Sequence, residues 1–162
     1  STAVIAQGGA GNAALNSQTN GMKGQAGVLQ VGTENSAINT QENSADATAL
    51  IAQDGDKNKA MNLQMGVDPT SATTIQSGAN NGAMNTQVSV NNSSAFVLQD
   101  GNDNTASNLQ SPGSAVGSGE NLNASILQNG NLNQAYNTQT GGANGGKNKA
   151  ATTGQVGDGN QA

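Results

Sequence analysis

A glutamine recurs along this chain at a fixed interval, and this interval constrains the fold more than any other feature. Five copies lie 23 residues apart and two more follow after longer intervals: Gln7, Gln30, Gln53, Gln76, Gln99, Gln128 and Gln155. A glycine follows each copy two residues later: Gly9, Gly32, Gly55, Gly78, Gly101, Gly130 and Gly157. An asparagine follows each copy five residues later: Asn12, Asn35, Asn58, Asn81, Asn104, Asn133 and Asn160. In the complete copies a second glutamine comes eleven residues after the first: Gln18, Gln41, Gln64, Gln87, Gln110 and Gln139. Agreement at this many positions defines an internal repeat.

The repeat organises the chain as a single repeat domain over residues 1–162. Its copies span approximately 3–18, 26–41, 49–64, 72–87, 95–110 and 124–139, with a partial copy at 151–162. The linkers from Gln110 to Ala124, which contains Pro112, and from Gln139 to Ala151 are longer than the others. We interpret both as loops at one end of the coil rather than as domain boundaries.

Within each copy the fixed residues lie two apart, which is the period of a β-strand. Ala49, Ile51 and Gln53 belong to a first strand, and Asn58 to Gln64 form a second. The glycine between them can take a positive φ in a tight turn, and about seven variable residues before the next copy form a second turn. The sequence therefore predicts an all-β fold, a two-sheet β-solenoid in which each coil is strand–turn–strand–turn and equivalent strands stack in parallel.

Composition indicates what fills such a coil. Only 33% of residues are hydrophobic, with one Phe, one Tyr and no Trp, so a thick apolar core is excluded. The repeated Ala and an aliphatic or Thr residue would fill a narrow interior. The repeated amides would point inward as ladders, because a buried amide is stable only when it is hydrogen-bonded.

Charge and the remaining composition limit the possible partners. The net charge is −5 with no basic cluster, which argues against nucleic acid as a partner. No apolar run approaches the roughly 18 residues of a membrane span, and there is no Cys. No targeting segment is visible at Ser1, so a secreted protein would be represented here in its mature form. Most charged residues fall in the two turns.

The repeat resembles that of curlin, the subunit of bacterial curli amyloid fibres. Gln53-x-Gly55-x-x-Asn58-x-Ala60-x-x-x-Gln64 and its sister copies are similar to the curlin pattern over nearly the whole chain. The serine that curlins place six residues before the first glutamine is present as Ser93 and replaced elsewhere, and the family's Gly-rich amino-terminal segment is absent. The chain is thus similar to a divergent curlin.

The resemblance implies a secreted functional amyloid: an extracellular, cell-surface fibre in a biofilm matrix, serving adhesion and aggregation. It also implies three kinds of partner besides the chain itself, namely an outer-membrane secretion pore, a periplasmic chaperone and a surface nucleator.

The two ends of the predicted solenoid suggest how a fibre would form. Each end presents strands with unpaired backbone groups, and an open head-to-tail contact produces a filament. The first copy begins a strand at once, and the chain stops part-way through a seventh copy with no recognisable cap. We expect the subunit contact to involve Ala3, Ile5, Gln7, Asn12, Gln18, Ala151, Thr153, Gln155, Asn160 and Ala162.

Outward positions of both strands are also apolar. On the first strand these are Val4, Leu29, Leu50, Ile75, Phe96, Leu98 and Leu127. On the second they are Leu15, Ile38, Met61, Leu63, Met84, Leu109 and Tyr136. They are either scattered surface side chains or a strip for lateral contact between fibres or sheets.

Other functions fit the sequence less well. The residues from Asp54 to Asn58 and from Asp100 to Asn104 faintly resemble calcium loops, but the aspartate position is not kept in other copies. The chain has no His or Cys and no visible catalytic base, so we expect neither an enzyme nor a cofactor. A monomeric solenoid remains the alternative, either an adhesin or stalk module or an ice-binding protein. The outward Thr array that ice binding needs is interrupted by Leu63 and Leu109.

Overall fold

The computed structural model describes residues 1–66, 68–111, 121–140 and 149–162, and this part of the chain contains strands and no helix. The strands, in chain order, are β1 (Thr2–Ala10), β2 (Ala13–Thr19), β3 (Gln25–Thr33), β4 (Ser36–Glu42), β5 (Ala47–Asp56), β6 (Lys59–Met65), β7 (Asp68–Ala79), β8 (Gly82–Val88), β9 (Asn91–Asp100), β10 (Thr105–Ser111), β11 (Leu122–Asn129), β12 (Gln134–Thr140) and β13 (Lys149–Val156).

The strands form two parallel sheets, as the repeat predicts. Sheet A has the order β1-β3-β5-β7-β9-β11-β13, and sheet B has the order β2-β4-β6-β8-β10-β12. Each odd strand and the even strand after it make one coil, so six coils are complete and β13 opens a seventh. The predicted all-β solenoid with coils of about 23 residues is confirmed.

Register is set by the repeat, because each repeated residue lies beside its own copy. Gln30 lies between Gln7 and Gln53 in sheet A, and Asn62 lies between Asn39 and Asn85 in sheet B. The two longer linkers do not disturb this register, since Gln99 pairs with Gln128 and Gln128 pairs with Gln155.

The space between the sheets is narrow and filled by small residues. Val28, Ala37, Ile51 and Ala60 form one apolar cluster, and Val97, Ala106 and Ile126 belong to a second. Most inward Gln and Asn side chains of the inner coils are as buried as these aliphatic residues. The interior therefore alternates thin apolar layers with layers of amides.

The first turn differs from its predicted position. Gly32, Gly55 and Gly78 do take the predicted positive φ, from 106° to 112°, but they lie inside the ends of β3, β5 and β7. The chain reverses two residues later, where Glu34, Lys57 and their non-glycine equivalents have φ between 55° and 59°. Backbone stacking on the next coil continues past the glutamine, which extends each strand through the glycine.

The second turn is also shorter than predicted. Strands β5, β7 and β9 begin before the first repeated alanine, and a third apolar cluster of Ala47, Val90 and Leu122 lies at this corner. Of the two longer linkers, residues 112–120 and 141–148 lie outside the described residues.

Among the described residues, no helix is long and apolar enough to cross a membrane.

Candidate functional site

The first glutamine of each copy forms a continuous ladder through all seven coils. Gln7 Nε2 donates to Gln30 Oε1 at 2.6 Å, and every later step to Gln155 is 2.7–2.8 Å. From Gln30 onward each side chain also donates across the core to a carbonyl oxygen at the start of the sheet B strand, as Gln53 does to Ser36 O at 3.1 Å. The ladder therefore ties coils together along the axis and ties the two sheets together across it.

The second glutamine forms a parallel ladder with the same direction. The bonds run from Gln18 Nε2 to Gln41 Oε1 and onward to Gln139, at 2.7–2.9 Å. In both ladders each Nε2 donates toward the carboxy-terminal coil. The stack therefore has a chemical polarity, with acceptor oxygens facing one end and donor nitrogens facing the other.

The asparagine five residues after the first glutamine does not form the expected amide-to-amide ladder. Its Oδ1 accepts from the backbone N–H of its own copy in the next coil, as Asn35 Oδ1 does from Asn58 N at 2.9 Å. Its Nδ2 donates to the glycine carbonyl of the next coil, as Asn35 Nδ2 does to Gly55 O at 2.7 Å. This side chain thus holds the first corner of each coil onto the corner that follows.

The asparagine four residues later, Asn16 and its copies, forms a ladder of opposite direction. Asn39 Nδ2 donates back to Asn16 Oδ1 at 2.9 Å, and this pattern continues to the bond from Asn108 to Asn85 at 3.0 Å. It then stops: Asn137 Nδ2 makes the same cross-core bond as the other copies, to Ser125 O, but its other bond goes to Ala151 O at 3.4 Å and not to Asn108 Oδ1. Asn108 Oδ1 is left buried without a hydrogen-bond partner in the described chain.

Two threonines supply hydroxyls to this ladder from the opposite sheet. Thr74 Oγ1 donates to Asn62 Oδ1 at 3.0 Å and accepts from Asn85 Nδ2 at 3.1 Å. Thr153 Oγ1 donates to Asn137 Oδ1 at 2.8 Å. The repeat pattern predicted these threonines only as filling of the interior and not this role; the signal was a hydroxyl at a position that is otherwise aliphatic.

The glycine corner allows the closest backbone approach in the stack. A Cβ on Gly55 would collide with the carbonyl oxygen of Gly78, in addition to the cost of its φ of 112°. The same collision recurs at every copy from Gly9 to Gly130. Because the glycine carbonyl also accepts from the asparagine described above, glycine and asparagine form one unit in each coil.

The predicted subunit-contact residues lie at opposite ends of the stack. Ala3, Ile5, Gln7, Asn12 and Gln18 belong to the first coil, where all of β1 is exposed. Ala151, Thr153, Gln155, Asn160 and Ala162 belong to the seventh. Within one chain the two groups do not meet.

The hydrogen-bonding groups left over at the two ends are complementary. At the first coil, Gln7 Oε1 accepts no bond from the described residues, whereas every other glutamine Oε1 of its ladder accepts one. At the seventh, Gln155 Nε2 donates to Gln134 O and, among the residues that the structure describes, to no second acceptor, so one of its two hydrogens is left over. Asn160 Oδ1 likewise lacks a donor among the described residues, while Asn160 N and Nδ2 both bond Asn133 Oδ1. The missing donor corresponds to the backbone N–H of Asn12 in a following copy.

Charged side chains lie outside the two sheets and interact weakly. The ion pairs Lys23–Asp46 and Lys57–Glu34 are 3.9 Å long and exposed, so each adds little stability. Hydrogen bonds from Thr33 Oγ1 and Thr33 N lower the pKa of Asp56 below its usual value. The described residues contain no group of three or more His, Cys, Asp or Glu that could hold a metal ion.

The outward apolar residues remain largely accessible. On sheet A, Val4, Leu29, Leu50 and Leu127 are 42–58% exposed, and on sheet B Leu15 and Tyr136 are 53% and 57% exposed. Both faces of the solenoid therefore carry apolar side chains in contact with solvent.

Comparison of the chain with protein-family models, with curated proteins and with solved structures finds no match.

Proposed function

We propose that this chain is the structural subunit of an extracellular, curli-like amyloid fibre that grows by head-to-tail stacking of solenoids. The observation that carries the proposal is the complementarity of the two ends. Gln155 Nε2 of one copy has a hydrogen left to donate, and Gln7 Oε1 of the next copy would accept it. The Asn12 N–H of that next copy would donate to Asn160 Oδ1, which has no donor among the described residues. Both match the direction of bonding inside the stack.

The sheet edges support the same contact. Within the described residues, β1 and β13 each have one unpaired long edge, and an unpaired strand edge is a template for another chain. Parallel pairing of β13 with β1 of a second copy would bury the aliphatic Ile5, which is 46% exposed, against Thr153. The contact is heterologous, so repeating it yields an open filament.

The biological setting rests on the resemblance to curlins. A secreted, cell-surface fibre for biofilm adhesion and aggregation, with a secretion pore, a chaperone and a nucleator as partners, is what that resemblance implies. A monomeric solenoid that binds a ligand as an adhesin is the competing function, and it requires no head-to-tail growth.

Ile5→Lys separates these functions. In the monomer this inward position is open to solvent, so lysine is tolerated, whereas in a stack its charge would be buried between two coils. We expect seeded elongation to slow more than tenfold, measured by fibre growth from preformed seeds. The circular dichroism spectrum of the dilute chain should not change.

Gly8→Lys is the matched control, because it adds the same charge to the same strand on the outward side, where nothing lies within 4 Å of the added Cβ. It should elongate as the parent chain does. The mutant Ile5→Lys should also stop parent fibres at one end when added in small amounts. Normal elongation of Ile5→Lys, or a parent chain that stays monomeric after seeding, would overturn the proposal.

A further inference from the structure

The outer face of sheet A carries two neighbouring columns of side chains that vary in size from coil to coil. One column lies three residues before the repeated glutamine and contains Val4, Gly27, Leu50, Thr73, Phe96, Ser125 and Thr152. The other lies one residue before it and contains Ala6, Leu29, Ala52, Ile75, Leu98, Leu127 and Gly154.

In the first, second, third and sixth coils a large residue in one column accompanies a small one in the other, whereas the fourth combines Thr73 with Ile75 and the seventh combines Thr152 with Gly154. Val4 stands beside Ala6, Leu29 beside Gly27, and Leu50 beside Ala52. The small residues leave depressions in the face. One of about 290 Å³ lies at Gly27 between Val4 and Leu50, and one of about 360 Å³ lies at Ala52 between Leu29 and Ile75.

We propose that this face pairs with the same face of a second copy of the chain, the two solenoids lying side by side and parallel. A two-fold axis parallel to the stack would bring the first column of one copy opposite the second column of the other at the same height. Leu29 then faces Gly27 of the partner, and Leu50 faces the partner's Ala52, so large residues enter the depressions. Such a contact is isologous and closes after two copies.

The residues that flank these columns favour the same arrangement. The two-fold axis that pairs the columns also brings Asp54 opposite Thr48 of the second copy, a carboxylate opposite a hydroxyl donor, and no two like charges meet within these four columns. The outer face of sheet B is less suitable for such a pair. A two-fold axis placed in the same way on that face would bring the ammonium of Lys59 opposite Met65 of the second copy, which offers no acceptor for the charge. Only in the fifth coil do two large residues meet, Phe96 and Leu98.

The area is sufficient for a stable pair. Seven residues of strand at ~3.3 Å each, over seven coils at ~4.8 Å, give roughly 780 Å² on each partner. Stable protein interfaces bury about 800 Å² per partner. A parallel pair also keeps the amide ladders of both solenoids pointing the same way, so the pairing deepens the proposed head-to-tail growth and is compatible with it.

Sedimentation equilibrium of the Ile5→Lys chain tests the pairing, because that substitution blocks growth and leaves the face intact. We expect a mass twice the 15.9 kDa of one chain at micromolar concentration. Adding Leu29→Glu, which places a carboxylate opposite Gly27, should return the mass to that of a monomer. Ile38→Glu on sheet B is the matched control and should leave the dimer unchanged.

A monomeric Ile5→Lys chain would overturn the pairing, as would a dimer that survives Leu29→Glu. Loss of the dimer in Ile38→Glu alone would place the contact on sheet B and also overturn it. Polymerisation of Ile5→Lys would instead contradict the head-to-tail contact. In that case each of Leu29→Glu and Ile38→Glu is introduced alone into the parent chain, and the number of solenoids across the fibre is counted. Leu29→Glu should halve that number, and Ile38→Glu should leave it unchanged.

Discussion

At the scale of the residue, the inward amides stabilise the stack only when each finds its partner in the next coil. A satisfied hydrogen bond contributes about 1 kcal/mol, while a buried acceptor left without one costs about 1–3 kcal/mol. Most oxygens of the two glutamine ladders are satisfied in this way. In the asparagine ladder, Asn108 Oδ1 is buried and has no partner among the described residues, which makes the step from the fifth to the sixth coil the weakest point of that ladder.

A hydroxyl can repair this step. Ile126 occupies the position in the sixth coil that Thr74 occupies in the fourth, and Thr74 donates to the asparagine of the coil before it. Ile126→Thr should therefore supply a donor to Asn108 Oδ1. We expect it to destabilise the chain by about 1 kcal/mol less than Ile51→Thr, measured by urea unfolding of the dilute protein.

Ile51→Thr is the matched control because both isoleucines are fully buried and lose the same apolar surface. Asn39 Oδ1, the acceptor that the new hydroxyl of Ile51→Thr would reach, already accepts from Asn62. Equal destabilisation by the two substitutions would show that Asn108 Oδ1 is not unsatisfied in solution.

The sequence indicated which residues point inward and could not indicate how they bond. A residue kept at one place in every coil indicates an inward position, so repetition alone identifies Gln53 or Asn58. Whether an amide bonds its own copy, as Gln53 does, or a backbone N–H, as Asn35 does, depends on side-chain length and on the local backbone. The break at Asn108 depends on the position of Asn137, which no residue identity encodes.

At the scale of the element, the first corner is the most restrictive part of each coil. Gly55 combines a positive φ with a close approach to the carbonyl oxygen of Gly78. Gly55→Ala should therefore destabilise the chain by about 1–3 kcal/mol, seen as a lower midpoint in thermal unfolding followed by circular dichroism.

Gly82→Ala is the control for this corner. Gly82 lies in β8 without a positive φ and with nothing within 4 Å of an added Cβ. It should leave the midpoint unchanged or raise it slightly, since alanine restricts the unfolded chain. A midpoint for Gly55→Ala equal to that of the parent would contradict the stacked corner.

The limits of the strands were the least predictable feature of the elements. The repeat predicts that each first strand ends at its glutamine, because the repeated alternation stops there. In the structure β5 runs from Ala47 to Asp56, beyond the alternation at both ends. Parallel stacking satisfies the backbone of variable residues as well as repeated ones, so strand length follows the fit of successive coils rather than side-chain pattern.

At the scale of the whole molecule, the two glutamine ladders give the solenoid a direction. Because both donate toward the carboxy-terminal coil, only a head-to-tail contact continues them; two like ends would bring acceptor to acceptor or donor to donor. The sequence predicted the uncapped strands but not this polarity, which depends on the orientation of each amide. Growth from one solenoid to the next then adds length in steps of a whole molecule.

Mass per unit length of the fibres, measured by dark-field electron microscopy, tests this account most directly. Seven coils at ~4.8 Å span about 34 Å, so a 15.9 kDa chain gives roughly 0.5 kDa per Å for one solenoid and roughly 0.9 for a side-by-side pair. A flat amyloid in which each molecule contributes a single layer would give roughly 3.3 kDa per Å. The predicted result is a mass per unit length of roughly 0.5 or 0.9 kDa per Å in fibres only a few nanometres wide. A mass per unit length of roughly 3.3 kDa per Å would contradict the stacked solenoid.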